Sequence, residues 1–198
     1  MNETLRARLD QILPKITADR FLRGQGIGNE IAFHIFDYPP EDELQVRQEI
    51  ADLLKLIPKR KPGLKVLPVN LFQFLLEYLE ARQLLEKALK LQADKGNEAL
   101  HKALRGVLHE EKVARRFDEA HQPADQDLVL ISGVGSAYPM LRPHTFLSNL
   151  QPVMRQTPLV MFYPGRYDGT TFRLFGKTGL AGDRQKAVKY YRAFRLID

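Results

Sequence analysis

The chain has 198 residues, 44% of them hydrophobic, which is enough to bury one core, so we predict a single domain over residues 1–198. Its net charge of +6 favours acidic partners. It has no cysteine, which excludes disulfides, thiolate nucleophiles and cysteine-based zinc sites. Its apolar runs fall short of the roughly 18 residues that a membrane-spanning helix needs, and its first residues lack the pattern of a secretory signal, so we expect a cytoplasmic protein without membrane contact.

The first third of the chain is predicted to alternate between helices and strands. Hydrophobic residues recur at helical spacing near the start, and Pro14 is expected to kink or split that helix. Pro68 weakens a later strand, because proline cannot donate a hydrogen bond to the sheet. In chain order we predict a helix over 1–20, a strand over 31–36, a helix over 40–57 and a strand over 64–71.

The middle of the chain is predicted to be a helical insertion over residues 72–120. The polar segment 93–97 divides it into two helices, which indicates a helical hairpin placed between two strands of the sheet. The remaining predicted elements are apolar strands within 127–139 and 158–169, a short helix over 145–150 between them, and strands over 171–175 and 190–197. The last two strands alternate strongly and are candidates to pair as a C-terminal hairpin at the sheet edge.

The two apolar strands decide the fold class. Their continuous hydrophobicity is typical of a parallel sheet covered by helices on both faces, so we predict an α/β fold with an open, mostly parallel sheet flanked by helices. Binding sites in such sheets gather beyond the carboxyl ends of the strands. The candidates for contact with a ligand or partner are therefore Tyr138, Arg142, His144, Tyr163, Arg166 and Tyr167.

Three patterns resemble motifs of nucleotide-binding or zinc proteins, but each departs from the motif. Gly176-Lys-Thr178 lacks the glycine that a phosphate-binding loop has five residues earlier, where this chain has Thr171. The glycines of segment 24–28 precede a predicted strand instead of following it. Val113 stands where His109-Glu-Glu-Lys would need a second histidine to bind zinc. The sequence predicts no catalytic residue, no cofactor and no metal site.

A few polar residues near predicted strand ends have two interpretations each. Asp37 could hold a metal ion or cap the helix that begins at Pro40, and we favour the cap. Asp168 is interpreted as a turn residue. Ser136 and His144 could form a nucleophile and its base, but no third member is identifiable, so we favour bracing of the loop and the start of a helix.

The positive charge is densest at residues 59–61 and in the tail from 177 to 195. Either region could be a solvated surface or could contact phosphate groups. In the tail, the candidates for contact with DNA are Lys186, Lys189 and Arg192.

The order of several segments resembles the BrxB-like family of BREX phage-exclusion systems. The matching segments are Gly26-Ile-Gly-Asn-Glu30 with 33–38, Ser132-Gly-Val-Gly-Ser-Ala-Tyr-Pro139 with Arg142 and His144, Phe162-Tyr-Pro-Gly-Arg-Tyr-Asp-Gly169, Phe175-Gly176, and Tyr190-Tyr-Arg-Ala-Phe194. They span nearly the whole chain in the order expected of the family.

The resemblance implies a non-enzymatic adaptor in a multi-protein antiviral system that marks host DNA by methylation and blocks phage replication. It implies assembly with a PglZ-like protein first, and with the ATPase and the methyltransferase of the same system. By analogy of fold, we interpret the strand-end loops as a protein-contact surface on which tyrosines and arginines are candidate hot spots. Two alternatives stay open: a nucleic-acid-binding subunit that uses the basic tail, and a nucleotide-binding or hydrolytic enzyme.

Overall fold

The computed structural model describes residues 3–24, 33–175 and 193–197. They form a mostly parallel β-sheet with helices on both faces. The strands are β1 Phe33–Tyr38, β2 Val66–Asn70, β3 Leu128–Ser132, β4 Leu159–Tyr167, β5 Phe172–Leu174 and β6 Ala193–Arg195. The helices are α1 Glu3–Asp10, α2 Ile12–Ile16, α3 Asp19–Leu22, α4 Glu43–Arg60, α5 Leu71–Ala81, α6 Leu85–Leu104, α7 Glu110–His121, α8 Val134–Ala137 and α9 Pro143–Met154. This architecture confirms the predicted α/β fold class.

The strands lie in the order β2-β3-β4-β1-β6, and all neighbours along this path are parallel. β4 is central, because it pairs with β3 on one side and with β1 on the other. β2 is an edge strand, which explains why it tolerates Pro68. The carboxyl ends of β1, β2 and β3 therefore meet at one edge of the sheet.

Two hydrophobic cores lie on opposite faces of the sheet. Successive residues of a strand point to opposite faces, so Met161 of β4 belongs to one core and Phe162 belongs to the other. The first core is closed by α5 to α9, and the second is closed by α1, α2 and α4. Burial on both faces explains the continuous apolar runs at 128–131 in β3 and 159–163 in β4.

The first predicted helix is divided, as expected, and the break falls at Gln11. Pro14 itself lies inside α2. A proline ring clashes with the carbonyl four residues earlier, which here belongs to Asp10, so the distortion appears before the proline.

The helical insertion contains three helices, and the predicted hairpin of two is wrong in this respect. The break predicted at 93–97 is a kink within α6, where Gly96 has φ 78° and ψ −178°. The chain instead leaves helical geometry after α5 and after α6, at segments 82–84 and 105–109. Gln83 adopts a positive φ of 56° without any glycine or proline nearby to announce the turn.

The two C-terminal strands exist, but they do not pair with each other. β5 folds back antiparallel on the end of β4, with Arg166 opposite Arg173. β6 instead lies parallel to β1 at the edge of the sheet. Alternating hydrophobicity indicates a strand, but it does not identify the strand's neighbour, so the predicted hairpin is wrong.

Among the described helices, none combines the length and the hydrophobicity that crossing a bilayer requires.

Candidate functional site

The turn after β3 begins the candidate site, and it is filled by protein atoms. Gly133 has φ 70°, and a Cβ atom on it would lie 2.2 Å from Oδ1 of Asn70. That oxygen accepts a hydrogen bond from the backbone N–H of Gln73 at 3.1 Å and so caps α5. The glycine is needed because the end of β2 and the turn after β3 approach each other closely. The side chain of Asn70 thus occupies space beside the glycine-rich turn.

The next turn of the same loop packs against the end of β4. A Cβ atom on Gly135 would lie 2.8 Å from Cγ of Pro164 and 3.2 Å from the ring of Phe175. The ring of Phe175 meets that of Tyr138 edge to face, with centroids 6.4 Å apart. The loop that would cradle a phosphate in a nucleotide-binding sheet is here packed against a proline and an aromatic ring.

The outer side of this edge presents apolar and cationic groups together. Leu44 on α4 is 78% exposed, and Phe175 is 38% exposed. Arg47, one turn after Leu44 on α4, donates from Nη2 to Oγ of Ser136 at 3.4 Å. We name Leu44, Arg47, Ser136, Tyr138 and Phe175 the strand-end surface. It joins α4 to the loop after β3 and to the residue after β5.

Arg47 is held in place by its own helix. Its Nε donates to Oε1 of Glu43 at 2.7 Å, and the other oxygen of Glu43 accepts a hydrogen bond from the hydroxyl of Tyr38. Burial raises the pKa of the Tyr38 hydroxyl well above its usual range, so this group stays protonated and remains a donor. These contacts orient the guanidinium group of Arg47 toward Ser136.

Two of the predicted contact residues belong to the core. Tyr163 is 1% exposed and Tyr167 is 2% exposed. Both rings pack against Phe172, with centroids 5.0 and 4.5 Å away. The hydroxyl of Tyr167 also donates to the backbone oxygen of Ala193 at 2.8 Å. Because β4 is buried on both faces, its alternate tyrosines face a core, and neither side chain reaches the surface in this structure.

The other predicted contact residues are more accessible. Tyr138 is half-buried within the strand-end surface, and Arg166 is exposed on β4. Arg142 is the half-buried residue before α9, and His144 lies in the first turn of that helix. Their position agrees with the predicted start of a helix. The tail candidates Lys186, Lys189 and Arg192 lie outside the described residues.

Asp37 is not the helix cap that we expected. β1 continues to Tyr38, so Asp37 lies within the strand, where it is 5% exposed. Its carboxylate accepts hydrogen bonds from Nη2 of Arg8 at 2.7 Å, from Nη2 of Arg195 at 3.4 Å and from the backbone N–H of Tyr167 at 3.1 Å. These contacts join α1, β1, β4 and β6, which gives the carboxylate a structural role.

Asp168 confirms the predicted turn. Its Oδ1 accepts hydrogen bonds from the backbone N–H groups of Thr170 and Thr171 at 3.0 and 2.7 Å. Together with the bond from the Thr170 hydroxyl, these donors hold the pKa of Asp168 below its usual value. Within the described part of the chain, no three acidic or histidine side chains are grouped so that they could hold a metal ion.

Comparison with known proteins gives one family. The family described as "BREX protein BrxB" matches residues 67–196. The chain belongs to the BrxB family. It is 41% identical over 197 residues to the BREX protein BrxB of Escherichia coli O9:H4 (strain HS), covering 100% of this chain and 94% of that protein. It is 40% identical over 195 residues to the BREX protein BrxB of Bacillus cereus (strain H3081.97), covering 96% of each chain. No solved structure matches the chain.

Membership of the BrxB family confirms the resemblance found in the sequence motifs. Much of the motif around Ser132 has a structural explanation, because Gly133 and Gly135 allow close packing with Asn70 and Pro164. Leu44 and Arg47 of the strand-end surface were not among the predicted contact residues. The sequence shows only a leucine and an arginine one turn apart in the helix after β1, and the exposure of Leu44 becomes visible in the structure.

Proposed function

We propose that this chain is a non-enzymatic component of a BREX-type antiviral system, in which it acts as an adaptor between other proteins. Its membership of the BrxB family supports a place in that system. The observation that carries the adaptor role is the strand-end surface, where Leu44 and Phe175 are exposed beside Arg47 and Tyr138. Arginine and tyrosine beside exposed apolar groups are typical of the residues that dominate binding energy in protein interfaces.

The packing at the strand ends also favours an adaptor over an enzyme. Nucleotide-binding sheets leave room for phosphate groups at the turn that follows a central strand. In this chain Asn70, Pro164 and Phe175 occupy the space beside Gly133 and Gly135. Turnover of a substrate by the purified chain alone would contradict the non-enzymatic part of the proposal.

The first partner that we propose is the PglZ-like protein of the system, with the ATPase and the methyltransferase as further members of the assembly. A partner that covers Leu44 would gain hydrophobic free energy, and a carboxylate on the partner could pair with Arg47. Arg142, His144 and Arg166 remain candidate contacts for the same assembly.

The test is co-purification of the PglZ-like protein with the variant Leu44→Asp/Arg47→Glu. We expect the variant to weaken capture by about 30-fold or more, because the loss of even one hot-spot residue costs about 2 kcal/mol or more. The folded state should be retained, since both side chains are exposed. Urea unfolding of the isolated variant checks this.

Leu89→Asp/Lys90→Glu is the matched control, because Leu89 is 57% exposed on α6, the neighbouring Lys90 is exposed as well, and the change in charge is the same. Capture by this control should equal that of the wild type. Capture of the PglZ-like protein at the wild-type level by both variants would show that the interface lies on another surface. Complete assembly of the other components without this chain would contradict the adaptor role.

A further inference from the structure

A second surface lies at the opposite end of the sheet from the strand-end surface. α4 connects the two ends, because it begins after the carboxyl end of β1 and finishes before the amino end of β2. It has 18 residues, and at about 1.5 Å per residue it is about 27 Å long. Its final residues and those of the α2–α3 region form this second surface.

This second surface is strongly basic. The segments 15–23 and 59–65 together hold seven lysines and arginines and a single carboxylate, that of Asp19. We name the seven cations the basic surface; they are Lys15, Arg20, Arg23, Lys59, Arg60, Lys61 and Lys65. All of them except the half-buried Lys61 are exposed.

Three contacts bring the two segments together. Nε of Arg60 donates to the hydroxyl of Thr17 at 3.1 Å, and Nζ of Lys61 donates to the backbone oxygen of Thr17 at 3.3 Å. Lys61 also pairs with Asp19. This pairing lowers the pKa of Asp19 and uses the charge of that carboxylate. The two segments are therefore neighbours in space, and between them they carry seven cations and one carboxylate.

Local structure explains only part of this charge. Lys59 and Arg60 lie in the last turn of α4, where cations interact favourably with the helix dipole. Asp127 lies beside Lys65, because its carboxylate accepts a hydrogen bond from the Lys65 backbone N–H at 2.8 Å. Neither feature involves Lys15 or Arg23, which are exposed on the neighbouring segment.

The chemistry of the basic surface fits phosphate groups better than an acidic protein. Stable protein interfaces have an apolar centre that excludes water. Of the exposed large hydrophobic residues in the described part of the chain, none falls within segments 15–23 or 59–65. Contact with a nucleic-acid backbone needs only well-placed cations, which release counterions from the phosphates.

We propose that the basic surface binds the phosphate backbone of duplex DNA without reading its sequence. This inference goes beyond the adaptor role, because it gives the chain a second ligand of a different class. It also places DNA contact on segments 15–23 and 59–65 instead of on the tail. The two ligands would lie at opposite ends of α4.

The test is fluorescence anisotropy of the purified chain with a labelled duplex of about 30 base pairs, titrated at several salt concentrations between about 50 and 200 mM. The variant Lys15→Gln/Lys59→Gln/Lys65→Gln removes three exposed cations that donate none of the bonds to Thr17 or Asp19. We expect at least roughly tenfold weaker binding at low salt, and a slope of log K against log salt that is shallower by about 0.9 for each phosphate group that the variant no longer neutralises.

The matched control is Lys87→Gln/Lys90→Gln/Lys95→Gln, which removes the same charge from exposed positions on α6. Its binding should stay within about twofold of the wild type, with an unchanged salt slope. An equal loss in the control would mean that net charge alone attracts DNA, and this would overturn the proposal. So would a wild-type chain that does not bind the duplex.

Two further experiments distinguish this site from a DNA site in the tail and from a site for an acidic protein. A loss of DNA binding only on neutralising Lys186, Lys189 and Arg192 would move the site to the tail and overturn the proposal. Binding of a poly-aspartate peptide that depends on the three lysines, without binding of the duplex, would assign the basic surface to an acidic protein and overturn it too. None of these results depends on the capture of the PglZ-like protein, so the two proposals can fail separately.

Discussion

At the scale of single residues, Asp37 shows how far local sequence can mislead. An aspartate before two prolines and a helix is a reasonable cap, but this one is buried within β1 and forms ion pairs with two arginines. Its partners Arg8 and Arg195 lie far away in the sequence, so no local pattern could reveal them. The guanidinium group of Arg8 also lies 4.9 Å from the ring centroid of Phe36, which adds a favourable cation–π contact.

Replacement of Asp37 by Asn should destabilise the fold strongly. The amide can still accept the hydrogen bond from Tyr167, but the partly buried guanidinium of Arg8 loses its counter-charge. Removing one member of a buried ion pair costs about 3–5 kcal/mol, and we expect the lower end because Arg195 is 36% exposed. Urea denaturation, read as the midpoint and slope of the transition, measures this loss.

The control for Asp37→Asn is Asp52→Asn, because Asp52 pairs with Lys55 on the surface of α4. Exposed pairs of this kind contribute little, so the control should unfold at the wild-type midpoint. A loss of less than about 1 kcal/mol in Asp37→Asn would show that the cluster does not hold α1 and β6 on the sheet.

At the scale of elements, the sequence predicts the strands that a hydrophobic pattern marks, but it misses turns that have no pattern of their own. The apolar runs of β3 and β4 identify both strands, since burial on both faces requires them. Gly106 marks the break between α6 and α7, and it could have been read. The turn at Gln83 has no such signal, because segment 82–84 between α5 and α6 contains neither glycine nor proline.

Gly133→Ala should lower the free energy of unfolding for two reasons, backbone strain and loss of the helix cap. A methyl group there would strain a positive φ and also displace Asn70 from its capping position on α5. We expect a loss of about 2–3 kcal/mol, of which about 1 kcal/mol is the lost cap. Thermal or urea unfolding gives the value.

Two further variants measure the backbone strain and the loss of the cap separately. Gly63 has φ 83°, and a methyl group added to it would meet no other atom within 4 Å, so Gly63→Ala reports backbone strain alone. Asn70→Ala reports the cap alone, at about 1 kcal/mol. If Gly133→Ala cost no more than Gly63→Ala, the close approach of Asn70 to the turn after β3 would have no energetic weight.

At the scale of the whole molecule, one sheet serves two cores. The α/β class was predictable because strands and helices alternate along the chain. The neighbours of β5 and β6 were not predictable, because the edge that a short strand joins depends on the surface that the rest of the fold leaves open. The candidate site was predictable as a location at the strand ends, but which tyrosines reach the surface there depends on tertiary packing.

Because both cores pack on the same sheet, a cavity made in one core should also destabilise the elements on the other face. Leu147 on α9 is 0% exposed on one face, and Ile57 on α4 is 1% exposed on the other. Leu147→Ala and Ile57→Ala should each lower stability by about 2–5 kcal/mol. Native-state hydrogen exchange should show reduced protection on both faces for either variant.

Leu89→Ala serves as the control for these two variants, since the exposed side chain can be shortened with an effect within about 0.5 kcal/mol. Loss of protection confined to α9 in Leu147→Ala would indicate that the two faces open independently.

The position of β1 in the sheet has a consequence for synthesis of the protein. β1 is made early on the ribosome, but both of its neighbours, β4 and β6, are made late. Until Leu159 and the residues after it emerge, the nascent β1 has neither hydrogen-bonding neighbour of the finished sheet, and its apolar side chains are exposed to other chains. We therefore expect chains stalled before β4 to need chaperones, because the hydrophobic strand cannot yet be covered.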